Sequence, residues 1–107
     1  MAYDQALAAR VRAALGSHPA VAEVRMFGGL TFMVDGHMAC GVVGGDLMVR
    51  VGRAAYDEAL AQPHVRPMDF TGRPLRGMVY VAAPALVTKA DLAAWVQRGV
   101  ANAGSPA

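Results

Sequence analysis

The sequence predicts an α+β domain built on an antiparallel sheet. Two short turn signals, Asp35-Gly36 and Gly44-Gly45, follow each other closely in an apolar stretch, and turns that short join only antiparallel neighbours. Helical periodicity is confined to the two ends and one short central stretch, with no alternating strand–helix–strand repeat that a parallel sheet would need.

Taken in order, Asp4 caps a first helix whose apolar stripe is Leu7, Val11, Ala14 and Leu15, spaced to share one face. Gly16, Ser17 and Pro19 stop it. The segment from Val24 to Val34 is rich in β-branched and aromatic residues and reads as a strand. The glycine pair Gly28-Gly29 within it signals a bulge or a close backbone approach. Asp35-Gly36 turns the chain into His37–Val43, and Gly44-Gly45 turns it again into Leu47–Val51. Ala54 to Ala61 makes a short helix, with Tyr56 and Leu60 four apart, and Pro63 ends it. Val65 to Phe70 reads as a strand that Pro67 confines to an edge. Thr71-Gly72 turns it, and Gly77 to Val81 returns. Thr88, three residues before Asp91, opens a last helix with Leu92, Trp95, Val96 and Val100 on one face. Asn102 to Ala107 reads as a frayed tail. The expected order is α-β-β-β-α-β-β-α, a two-layer domain with a five-stranded sheet, spanning residues 1–107 without an internal boundary.

Bulk properties narrow the function. Of 107 residues, 55% are hydrophobic and 17% charged, which excludes disorder. A chain this long buries roughly 65% of its unfolded surface, enough for a core without staples. No apolar run approaches the roughly 18 residues that span a bilayer, and no secretory leader is visible. Cys40 is the single cysteine, so no internal disulfide or thiolate metal site is expected. Together these point to the cytoplasm, with no membrane partner. A net charge of +2 is small for a nucleic-acid binder.

No catalytic constellation emerges, and neither a cofactor nor a metal is expected. Cys40 and His37 lie three apart in a strand, on opposite faces by alternation, and Cys40 shares its face with Met38 and Val42 as a small buried hydrophobe. His18 and His64 stand beside prolines, without further ligands at zinc spacing. The glycines from Gly41 to Gly45 lack the lysine of a phosphate loop and read as a hairpin turn. The carboxylates are scattered among turns and helices. Arginine is more informative. Arg50 sits in the third meander strand, and Arg66, Arg73 and Arg76 lie on or around the second hairpin. If that hairpin docks beside the third strand, the four form one surface for an acidic partner, a carboxylate or a phosphate; the alternative is solvated ion pairs, with Asp69 holding Arg66 or Arg73. Met33 and Met48 alternate with Phe32 and Leu47 and so occupy the opposite face. That face is either a second core layer or a surface for a partner or a second copy of the chain.

Two motifs carry a family resemblance. Met26-Phe27-Gly28-Gly29 precedes Phe32-Met33, and Pro67-Met68-Asp69-Phe70-Thr71-Gly72-Arg73-Pro74 precedes Gly77 and Tyr80. In combination they resemble the N-terminal domain of the TfoX/Sxy competence-regulator family, from Tyr3 to about Val100. The resemblance implies a secretion-chaperone-like α/β fold, in agreement with the element order. It also implies a stand-alone N-terminal domain, since full-length members carry a C-terminal helical domain and regulate competence genes alongside the cyclic-AMP receptor protein. It supplies no catalytic residues.

The expectation is therefore a non-enzymatic regulatory or adaptor domain that binds a protein partner and forms a homodimer. Direct nucleic-acid binding through the arginines is the first alternative, and a small-ligand site or an enzyme near Gly28-Gly29 the second.

Overall fold

A computed structural model of the chain describes residues 3–16, 21–26, 28–69 and 76–103. Phe27, Phe70, Gly72, Arg73 and Pro74, the Thr71-Gly72 turn, His18 and the last residues of the expected tail lie outside them.

The order among the described residues is α1 (Gln5–Leu15), β1 (Val21–Met26), β2 (Gly29–Val34), β3 (His37–Val43), β4 (Asp46–Arg50), α2 (Tyr56–Leu60), β5 (Val65–Pro67), β6 (Met78–Val81) and α3 (Lys89–Ala103). A short 3-10 turn at Ala83–Leu86 leads into α3. The strands form one sheet in the order β1-β2-β3-β4-β6-β5, antiparallel throughout. The α+β class holds, with six strands in place of five. The extra strand comes from Gly28. The sequence reading keeps Gly28-Gly29 inside one strand, as a bulge or a close backbone approach, whereas Gly28 takes a φ of 72° and turns the chain between β1 and β2. Gly29 serves a different need: a Cβ there would run into the Val42 carbonyl on β3.

The remaining turns follow their residues. Asp35 and Gly36 take φ of 53° and 81°, the left-handed pair of a tight hairpin. Gly44 (φ 58°) turns β3 into β4. Asp4 caps α1, its side chain accepting from the Leu7 N–H at 3.1 Å. Thr88 Oγ1 accepts from the Asp91 N–H at 3.0 Å. Pro67 ends the edge strand β5, where a missing N–H leaves no ladder partner wanting.

One sheet face is covered by the helices. Leu7, Val11 and Leu15 of α1 and Leu92, Trp95 and Val96 of α3 pack on Phe32, Leu47, Val49, Val79 and Val81. Tyr56 and Ala59 of α2 extend the same cluster. α3 lies so close to β3 that a Cβ on Gly99 would meet the Ala39 carbonyl. Ala39 is the extra residue of a register shift opposite Phe32/Met33. That shift corrects the expected company of Cys40, which is buried with Val42 on the helix side while Met38 packs with the methionines. The helix also outlasts its expected end: Asn102 is helical, and Ala103 is buried against Val34 and Ala39.

The opposite face holds Met48, Met68, Met78 and Tyr80, flanked by Met38 and Val43. Met48 and Met68 are fully buried. Met48 lies opposite Gly41 on β3 and Tyr80 on β6. Gly41 leaves the space its side chain fills, since a Cβ there would stand 2.6 Å from the Met48 Cε. Of the two methionines read as either core or interface, Met48 is core, fully buried, whereas Met33 is only half-buried and meets solvent.

A candidate anion-binding cleft

The chain leaves β4 and re-enters β6 at the same place. Register pairs Arg50 with Met78, and the Gly77 carbonyl accepts from the N–H groups of Val51 and Gly52 at 2.8 and 3.1 Å. Both glycines are left-handed, Gly52 at φ 88° and Gly77 at φ 92°, which lets the two segments close on each other without side chains between them. The residues beside these glycines are Arg53 and Arg76, and Arg50 stands two positions before Gly52. The second hairpin therefore does dock beside the third meander strand, as an arginine surface requires.

Arg50, Arg53 and Arg76 line one open cleft of about 710 Å³. Val51, Gly52, Ala54, Gly77 and Asn102 complete its wall. Asn102 comes from the last turn of α3, and its amide sits over Gly52, where a Cβ would stand 2.5 Å from Nδ2. Among the described residues, no carboxylate lines the cleft, and none of the three guanidinium groups makes a hydrogen bond or ion pair.

Elsewhere Arg12, Arg66 and Arg98 are each engaged by a carboxylate, while Arg25 stands alone among the described residues, exposed on β1. Arg12 holds Glu23 through two bonds of 2.6 and 2.8 Å, tying α1 to β1. Hydrogen bonding to Arg12 draws the Glu23 carboxyl below its ordinary range. Arg98 holds Glu58 at 2.9 Å and lies over the Trp95 ring. Arg66 pairs with Asp46, where the sequence reading offered Asp69, and its guanidinium stacks 4.8 Å from the centre of the Tyr80 ring. It is therefore committed within the sheet and does not line the cleft. Of the four expected arginines, the structure brings Arg50 and Arg76 together, sets Arg66 apart, and leaves Arg73 outside the described residues.

Sequence reasoning missed Arg53 and Asn102. Arg53 carried a signal, since Gly52-Arg53 and Arg76-Gly77 are mirror-image pairs at the ends of β4 and β6. Asn102 carried none, because it reaches the cleft only through the length of α3.

Three guanidiniums without counter-charges suit a planar oxyanion, which each can grip with paired N–H donors. The thiol offers no competing chemistry. Cys40 is fully buried, and burial pushes its pKa up to about 12, far from the thiolate that a nucleophile needs. His37 and His64 are exposed. No group of three or more His, Cys, Asp or Glu that could hold a metal occurs among the described residues. No helix among them is long and apolar enough to cross a membrane.

A family model described as the TfoX N-terminal domain matches residues 13–103, most of the 107-residue chain. Neither a curated protein nor a solved structure matches the chain significantly.

Proposed function

The chain belongs to the TfoX N-terminal domain family, and from that premise we propose that it is a non-enzymatic regulatory domain of the cytoplasm, in the setting of competence control. It acts by binding a protein partner, whose acidic stretch seats in the Arg50–Arg53–Arg76 cleft. The observation that supports this reading is the contrast between those three arginines and Arg12, Arg66 and Arg98, each of which has a carboxylate. Unpaired cations gathered in one concavity raise the local concentration of anionic ligands. Nucleic acid is the second reading of the same cleft. A protein carboxylate is preferred because, among the described residues, no aromatic side chain lines the cleft to stack a base, and the overall charge is only +2.

Fluorescence anisotropy separates the two. A labelled oligoglutamate peptide and a labelled DNA duplex are each titrated with the protein across a salt series. The expected result is peptide binding that the triple variant Arg50→Ala/Arg53→Ala/Arg76→Ala weakens by about tenfold or more. Tight duplex binding that falls steeply with salt would move the function to nucleic acid. Binding of neither at low salt would remove the cleft as the point of contact.

A further inference from the structure

A second concavity lies between α1 and α3 and shares no residue with the arginine cleft. Arg10, Ala13 and Ala14 of α1 face Leu92 and Ala93 of α3 across a space of about 400 Å³. The alanines are too short to fill the gap between the helices, and Leu92, only 2% exposed, forms its floor. Val87 stands at the rim with 73% of its surface in solvent, an unusual position for a large aliphatic side chain next to an unfilled apolar space.

Two cations complete the lining. Arg10 is fixed in place, its Nη2 donating to the Leu86 carbonyl at 2.6 Å, which leaves the rest of its donor fork unused. Lys89 opens α3 and has no partner among the described residues. Among the described residues, no carboxylate lines this space either. An apolar floor with a few positioned polar groups is the usual make-up of a small-molecule site, and the volume falls within the usual range. Its extent argues against a docked helix. The lining covers one turn of α1, about 6 Å along the axis, whereas a helix bound in a groove spreads its anchors over two turns or more.

We propose that the groove between α1 and α3 binds a small amphiphilic carboxylate, its apolar chain on Ala13, Ala14, Leu92 and Ala93 and its carboxylate between Arg10 and Lys89. The inference rests on charge and shape at this groove and is independent of the reading of the arginine cleft.

The probe is octanoate, titrated into the full chain by calorimetry, with octanamide as its uncharged counterpart. Octanoate is expected to bind, and octanamide about tenfold more weakly or worse, since it loses the charge-assisted bonds. Arg10→Gln should weaken octanoate about tenfold and Lys89→Gln several-fold. Ala13→Trp fills the groove from an exposed helix position and should abolish binding while the melting temperature stays close to that of the parent. Arg53→Glu should leave octanoate binding unchanged, which separates this site from the cleft. The proposal is overturned if octanoate does not bind at millimolar concentration or if Ala13→Trp does not affect its binding. Equal affinity for octanamide would overturn the cationic pairing. An acidic amphipathic peptide that binds here where octanoate does not would reassign the groove to a protein.

Discussion

The two faces of the sheet are filled by different means. On the helix side, branched and aromatic side chains of fixed shape meet helices at close range, and at Gly99 the α3 backbone all but touches β3. On the other side, four flexible or long side chains, Met48, Met68, Met78 and Tyr80, pack together on the same sheet, with no helix on them among the described residues. Stiff packing demands complementarity at each contact, whereas unbranched thioethers adapt to an irregular cover. The methionine abundance that suggests an exposed partner surface thus has an internal use, and the surface available for binding shifts to charged residues at the sheet's end.

The sharpest way to break that comparison is to treat the methionine side as surface. Met48→Asp places a charge with no partner in a fully buried position and should cost about 3–5 kcal/mol, enough to leave the domain largely unfolded by circular dichroism. Met33→Asp, at a half-buried position of the same face, should cost about 1 kcal/mol or less. A folded, monomeric Met48→Asp variant would show that this face is not core.

Next in size is the contrast between stiff and soft contacts. Gly99→Ala drives a Cβ into the Ala39 carbonyl, and α3 can yield only by lifting Val96 and Ala103 from their seats. The expected loss is about 3 kcal/mol, a fall in melting temperature of roughly 10 °C or more. At Gly41→Ala the new Cβ meets first the Met48 Cε, the mobile end of a side chain, and then the Leu30 carbonyl at 2.7 Å. Part of that strain can be relieved by a rotamer change, so the loss should be smaller. Equal losses in thermal unfolding would mean that the methionine side is as rigid as the helix side.

The parts that were legible from sequence are those with local causes. Asp4 and Thr88 announce helix starts through their own side chains, and Asp35-Gly36 and Gly44-Gly45 announce turns through their backbone freedom. The Gly28 turn was hidden because apolar residues continue on both sides of it, so the pattern of Val24 to Val34 is the same for one bulged strand as for two. The Ala39 register shift was hidden for a related reason, since strict alternation assigns Cys40 and Met38 to one side. At the cleft, Arg50 and Arg76 could be grouped only on condition that the second hairpin docks against β4. Arg66 looked equivalent to them until Asp46, twenty residues distant, proved to be its partner. Pairing over such separations is a property of the fold and not of any local window.

The smallest expected effect concerns a polar group on the methionine side. Thr31 lies opposite Gly41, whose other neighbour is Met48. It is fully buried, and its Oγ1 has no hydrogen-bond partner among the described residues. Burying an unpaired hydroxyl opposes folding, by about 1–3 kcal/mol on mutational scales. Thr31→Val keeps the branched shape and removes the hydroxyl, so no bond is lost and a desolvation penalty disappears. The variant should equal or exceed the parent in stability, by up to about 1 kcal/mol in urea unfolding at unchanged slope. A clear loss of stability would mean that the hydroxyl has a partner in solution, water included, and that the methionine side is a polar, hydrated layer. That result would undo the comparison from which these expectations start, because a hydrated layer on this face would not hold Met48 as core.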